Sequence, residues 1–291
     1  MPAALQLKRI KNRETTIMKI GSREFDTEHQ TYIMGILNVT PDSFSDGGKY
    51  SRIDAALEHA EEMIGEGADI IDVGGESTRP GHVQITDEEE IARVVPVIEA
   101  LKSRFDIPVS VDTYKSAVAR AALQAGADLV NDIWGLKYDP QMAQVIAESG
   151  AACCLMHNRD NTDYGQFIPE FMEDMRECLK IADKAGITRD KIILDPGVGF
   201  GKTYEMNLEI ISRLEVMHEL GLPILLGTSR KSVIGLTLDL PPAEREEGTL
   251  VTTVYGVQKR CAFVRVHDVE KNKRAVRMTQ ALMKYGDVIH G

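Results

Sequence analysis

About eight times along this chain, a short and nearly all-apolar run ends in polar residues and a segment of helical period follows. The first runs are IMGILN, ending at Asn38, DIIDVGGES, ending at Glu76 and Ser77, and VSVDT, with Asp112. Then come DLVNDI, with Asn131 and Asp132, ACCLMH, ending at His157, and IILDPG, with Asp195. The last two are ILLGTSRK, with Ser229, Arg230 and Lys231, and FVRVHD, with Arg265, His267 and Asp268. Helical segments are expected at 53–66, 87–104, 116–125, 140–149, 170–185, 207–220, 243–258 and 269–285. A strand apolar on both faces belongs in a parallel sheet covered by helices, because an alternating pattern would leave one face wet. Strands alternating with helices in this number predict an α/β fold, a closed (β/α)8 barrel, with a doubly wound open sheet as the rival.

A barrel of this class accommodates 291 residues as one domain, and no linker rich in Pro, Gly or Ser divides the chain. Ahead of the first unit, IMKIG followed by SREFD reads as a small hairpin able to plug the barrel bottom. Residues 1–16 carry Lys8, Arg9, Lys11 and Arg13 without an apolar core, which reads as a poorly ordered polar extension and not a secretory signal. The folded unit is therefore expected over 17–291. A net charge of −11 argues against nucleic acid or a membrane surface as partner. An anionic substrate would need a local cluster of donors. Cys153, Cys154, Cys178 and Cys261 form no CxxC pair and no zinc-like spacing, so reduced thiols in a cytoplasmic protein are expected. No apolar run approaches a membrane span.

In such a barrel the active site lies at the carboxyl ends of the strands, where each run ends. That places Asn38, Asp112, Asn131, His157, Asp195, Lys231, Arg265 and His267 around one opening. Asp112, Asn131 and Asp195 face inward if the register holds. Each alone is explained equally well by satisfying a neighbouring backbone group or ion pair. Together they match a planar heterocycle bearing several N–H donors, with Met156 and Phe200 supplying apolar faces or simply packing. Arg265 and His267, two apart on one strand, share a face. With Lys231, Ser229, Ser232 and the free N–H groups of a helix start they make an anion pocket or, alternatively, a surface salt-bridge cluster.

Other signals carry little. GVGFGKT lacks the phosphate-loop spacing, and Lys202–Thr203 is not expected to open directly into a helix. EREE near Glu244 reads as a solvated helix face, and the histidines show no metal-ligand spacing. Trp134 alone makes no stacking platform for nucleic acid.

Taken together, ILNVTPDSFSDGG, GGESTRPG, VDTYKSAVA, LDPGVGFGK, GTSRKS and VRVHD resemble dihydropteroate synthases, in that family's order and from about Ile17 onward. The resemblance implies a (β/α)8 barrel that joins a pterin, arriving as its 6-hydroxymethyl diphosphate, to p-aminobenzoate with loss of pyrophosphate. It implies catalytic roles for Asp112, Asp195, Lys231 and Arg265. Thr78, Asp112, Asn131, Met156, Asp195, Phe200 and Lys231 would form the pterin pocket. Asn38, Arg265 and His267, with the Thr78 region, would bind the diphosphate, Asn38 together with Mg²⁺. Phe44, Asp46, Pro80 and Ser232 would shape the p-aminobenzoate site, with Phe44 and Asp46 on a mobile first loop. Sulfonamides are implied as inhibitors and a homodimer as the assembly. The chain departs from the family at MHNRDNTDYG, where many members carry a Met-Gly-Pro-rich loop, and at Val233, where a larger residue is common. A pterin-binding methyltransferase domain shares barrel and pocket but needs neither TPDSFSDGG nor the RVH pair. A non-catalytic pterin-binding protein is the second alternative.

Overall fold

The hairpin read from the sequence is present: β1 (Ile17–Ile20) and β2 (Arg23–Asp26) pair antiparallel around Gly21, which sits at φ +58°. The computed structural model describes residues 17–40, 49–77 and 83–290. After the hairpin come β3 (Tyr32–Asn38), β4 (Ile70–Gly74), β5 (Val109–Asp112), β6 (Leu129–Asp132), β7 (Ala152–Met156), β8 (Ile192–Asp195), β9 (Leu225–Leu226) and β10 (Phe263–Val266). All are parallel and lie in the order β8-β7-β6-β5-β4-β3-β10-β9. The two ends of that order meet through a parallel bridge from Leu194 to Ile224, and Leu194 N–H donates to Pro223 O at 2.9 Å. A sequential order that returns to its start is a barrel, not an open doubly wound sheet.

The helices are α1 (Lys49–Glu66), α2 (Asp87–Arg104), α3 (Ser116–Gln124), α4 (Met142–Ser149), α5 (Phe167–Ala185), α6 (Tyr204–Ser212), α7 (Ser232–Leu238), α8 (Glu246–Gln258) and α9 (Val269–His290). Two of the expected segments, 207–220 and 243–258, are rearranged. The segment at 207–220 begins earlier as α6, because Thr203 Oγ1 caps it by accepting from Met206 N–H at 3.3 Å, and continues as a 3-10 stretch, Leu214–Leu220. Lys202–Thr203 therefore does open directly into a helix, contrary to the sequence reading. The helix expected at 243–258 follows a separate short helix, α7, which ends at Asp239 in the left-handed region (φ +55°). No helix among the described residues is long and apolar enough to cross a membrane.

Strand alternation sorts the side chains into two layers. Ile71, Val73, Val109, Val111, Val130, Cys153, Leu155, Leu194 and Val264 point outward into the helix layer. Their neighbours point into the barrel. At its lower level Met34, Ile70, Leu129, Cys154, Ile193, Leu225 and Phe263 pack with Met18, Ile20 and Phe25 of the hairpin. The interior is thus closed from below by apolar side chains. On the same inner phase but nearer the carboxyl ends, the residues turn polar: Asp72, Asp112, Asn131, Asp195 and Arg265. The register sets Asn38, Gly74, Asp112 and Asn131 side by side at one level.

Candidate active site

These polar residues open into a cavity of about 580 Å³ at the carboxyl ends of the strands. Asn38, Asp112, Asn131, Met156, Asp195, Phe200, Lys231, Ser232, Arg265 and His267 all line it. Phe44, Asp46, Thr78 and Pro80 lie outside the described residues. His157 corrects the sequence reading. It is fully buried behind the cavity, facing Asp174 and Lys202, and not on its wall. The strand β7 ends at Met156, so His157 has left the inward phase of the barrel.

Arg265 organises the floor. Its Nε donates to Asp72 Oδ2 and its Nη2 to Asp112 Oδ2, each at 2.6 Å. Asn131 Nδ2 donates to the same Asp72 oxygen at 3.3 Å. Two carboxylates hold the guanidinium well above even the usual arginine range against its own burial. An anion reaching Arg265 would accordingly find two of its donors already engaged. Burial pushes the Asp112 carboxyl up to about 7, Arg265 opposing and Asp72 assisting. Asp112 Oδ1 is buried without a hydrogen-bond partner among the described residues. A buried carboxylate oxygen without a donor is costly, and a ligand N–H is the group it lacks.

Across the cavity, Asp195 Oδ1 accepts from Gly197 N–H at 2.6 Å. Burial raises its proton affinity, and Lys231 is the main group opposing this. Lys231 Nζ donates to Val198 O at 2.6 Å and stands 4.9 Å above the Phe200 ring. Burial draws the Lys231 ammonium down to about 8, with Asp195 resisting. Met156, Ile133 and Tyr114 form a small apolar cluster against which Trp134 and Phe200 pack. His267 Nδ1 and Ser229 Oγ are 2.9 Å apart, and His267 N–H donates to the same hydroxyl at 3.2 Å. The arrangement offers carboxylate and amide acceptors, buried cationic donors and apolar side chains lining one cavity.

Two elements of the site escaped the sequence reading. Asp72 sits mid-run in DIIDVGG, where only its inward phase, two residues before Gly74, marks it. Arg245 also lines the cavity, its Nη1 donating to Arg230 O at 3.0 Å, although EREE reads as a solvated face.

No group of three or more His, Cys, Asp or Glu able to hold a metal exists among the described residues. The available donor is the amide of Asn38, exposed at the cavity mouth. A hard amide oxygen on its own suits Mg²⁺, which keeps its waters and is completed by substrate phosphates, and does not suit a metal needing a protein cage.

A family model described as pterin binding enzyme matches residues 34–267. A Clostridium beijerinckii dihydropteroate synthase is 61% identical over 268 residues, 92% of this chain and 100% of that protein. A Clostridium difficile dihydropteroate synthase structure determined with pteroic acid superposes with a TM-score of 0.87 at 52% identity, covering 89% of this chain and 98% of that one. A Xanthomonas albilineans dihydropteroate synthase structure with 4-aminobenzoic acid gives a TM-score of 0.88 at 38% identity, over 93% and 99% of the two chains.

Proposed function

We infer the chemistry of the cavity from one premise: this chain belongs to the pterin binding enzyme family. It is a transferase of folate synthesis. It condenses 6-hydroxymethyl-7,8-dihydropterin diphosphate with p-aminobenzoate to give 7,8-dihydropteroate and pyrophosphate. The observation that carries the pterin assignment is the acceptor set of Asp112, Asn131 and Asp195 in a cavity also lined by Met156 and Phe200, with Asp112 Oδ1 lacking a donor among the described residues. A flat ring with several N–H edges supplies the missing donor and fills the apolar slot.

The residues suggest how the reaction is driven. The bond from the pterin methylene to the diphosphate oxygen breaks, and its electron pair leaves with pyrophosphate. The aniline nitrogen lends its lone pair to the methylene and then loses a proton. Because that nucleophile is weak, we place bond breaking ahead of bond making. Positive charge then delocalises from the methylene into the pterin ring. Asp112 and Asp195 face that charge in a water-poor cavity, where fixed carboxylates act strongly. Arg265 and His267 receive the leaving diphosphate. Mg²⁺, held by Asn38 and the diphosphate oxygens, would supply charge neutralisation on the leaving group. Ser232, with Phe44, Asp46 and Pro80, orients p-aminobenzoate, and sulfonamides compete there as its analogues. We place the enzyme in the cytoplasm and assign it a homodimeric state.

Incubating the protein with the pterin diphosphate, p-aminobenzoate and Mg²⁺ tests the reading directly. Release of pyrophosphate coupled to formation of dihydropteroate is expected. Pterin binding without pyrophosphate release would point instead to a non-catalytic pterin protein, and methyl transfer to a corrinoid would point to the methyltransferase reading.

A further inference from the structure

Lys202 belongs to a segment, GVGFGKT, that has the look of a phosphate loop, yet it does not line the cavity. It is 9% exposed. Its Nζ lies 2.8 Å from His157 Nδ1, 3.0 Å from Gly197 O and 2.9 Å from Phe200 O. The two carbonyl oxygens can only accept. His157 Nε2 lies 2.9 Å from Asp174 Oδ2. The same carboxylate takes Arg159 Nε at 2.6 Å and Arg159 Nη2 at 3.2 Å. Against its desolvation, these bonds from His157 and Arg159 hold Asp174 below the usual carboxylate range. An ionised Asp174 places the ring proton of His157 on Nε2 and leaves Nδ1 an acceptor. Burial, moreover, pushes the imidazole down to about 3 and keeps it neutral. Lys202 thus meets three acceptors, which matches the three protons of an ammonium and exceeds the two of a neutral amine. Burial draws the Lys202 ammonium well below the usual lysine range, with Asp195 the main charge opposing, and it is the three acceptors at 2.8–3.0 Å that call for the charged form.

What this ammonium grips is the loop that makes one wall of the cavity. Gly197 has φ +65°, and a Cβ there would fall 1.9 Å from His157 O. Gly201 has φ +54°, and a Cβ there would fall 2.7 Å from Arg159 O. The loop backbone therefore lies directly on the chain leaving β7, and only glycine permits that approach. Between the two glycines, Val198 O takes the ammonium of Lys231 and Phe200 sends its ring into the cavity. At its start, Gly197 N–H holds Asp195.

We propose that Lys202 is a positioning residue for the pterin site: its buried ammonium, oriented through His157 and Asp174, locks the 197–201 loop so that Phe200, Lys231 and Asp195 meet the pterin in one geometry. The proposal rests on the assignment of the cavity to pterin. It adds a chain of residues, Lys202, His157, Asp174 and Arg159, that touches no substrate and sets the arrangement of those that do.

Two variants test it beside the wild type, whose own turnover tests the synthase assignment separately. Lys202→Met removes the ammonium at similar volume. Asp174→Asn acts from α5, away from the cavity, by releasing the ring proton from Nε2. Each is measured for kcat and for KM toward both substrates, for direct binding of the pterin by fluorescence titration, and for Tm. Lys202→Met is expected to lower kcat/KM for the pterin diphosphate by about 100-fold, the scale of a misplaced reacting group, and Asp174→Asn by about tenfold. If kcat/KM for the pterin stayed within about twofold of wild type in both variants, the proposal would be overturned. A fall in both substrates' parameters that tracks the loss of folded protein by Tm would also overturn it, reducing Lys202 to a structural residue.

Discussion

Asp112 shows how one residue carries two demands. Arg265 neutralises one of its oxygens at 2.6 Å, while the other is buried and waits for a donor. Replacing it by Asn keeps the shape but removes the charge proposed to face the pterin methylene. It also weakens the grip on Arg265. Asp112→Asn is expected to lower kcat by at least about 100-fold, comparable to deleting one preorganised group, and an unchanged kcat would refute the electrostatic role. The raised proton affinity adds a pH signature. Below about 7 the carboxyl of the free enzyme takes up a proton and stops accepting from the pterin edge. The profile of kcat/KM for the pterin should therefore fall toward acid with an inflection near 7, and the inflection should be missing in Asp112→Asn. A profile flat from pH 6 to 8 would contradict it. Residues of this kind were legible in the sequence because each ends an apolar run. Asp72 was not, since it sits inside the run, and only the barrel's alternation places it beneath Arg265. His157 ends its run too, but a single residue past the strand it no longer follows the inward phase.

At the scale of elements, the connections between strands and helices decide what the barrel presents. Glu76 just beyond β4, Glu90 of α2 and Lys115 at the start of α3 form a buried triad. Lys115 Nζ reaches both carboxylates at 2.7 Å and Ile85 O at 2.8 Å, while Glu76 also receives Ile85 N–H at 2.9 Å and the Tyr114 hydroxyl at 2.5 Å. The cluster ties Glu76 and Ile85, on either side of residues 78–82, to two helices. Removing the cation leaves two carboxylates buried without it, a situation that costs roughly 3–5 kcal/mol. Lys115→Met is expected to lose stability on that scale in urea titration. Its deficit should also depend on pH. Glu90 already has its proton affinity raised by burial, with Lys115 opposing. Without Lys115 the folded-state pKa rises further above the unfolded value. Folding then binds protons, and stability is lost as pH rises through the folded pKa. The deficit should accordingly be larger at pH 8 than at pH 5, and a deficit constant across that range would exclude the charge explanation. No periodicity announced this triad, because Glu76, Glu90 and Lys115 come from three separate segments. The short helix α7 was hidden for a different reason. Its seven residues are too few for a periodic signal, and Asp239 in the left-handed region separates it from the chain leading into α8.

For the whole molecule, the fold was readable because parallel strands, covered on both faces, leave continuous apolar runs, and eight such runs ask for closure. The closure itself, a two-residue β9 and a bridge from Leu194 of β8 to Ile224 just ahead of it, lay beyond pattern reading. The outside of the barrel raises the question of assembly. Among the described residues, Val251 on α8 and Met278, Leu282 and Tyr285 on α9 are 60–69% exposed, and these two helices pack against each other. Large apolar side chains on adjacent helices fit the covered face of a self-associating enzyme. If the proposed homodimer forms, the protein is expected to sediment at twice the chain mass of 32.2 kDa. Val251→Glu combined with Leu282→Glu should give a monomer, because a C2 interface meets each substitution twice. Among the described residues, the cavity lining includes Asn38 and His267, and neither substituted residue is part of it. Pterin affinity in the monomeric variant should hence stay within about twofold of wild type, as expected for sites that share no partners. A double variant that still sediments as a dimer would remove α8 and α9 from the interface. A monomer that had lost pterin binding would mean that association, and not the single barrel, completes the site.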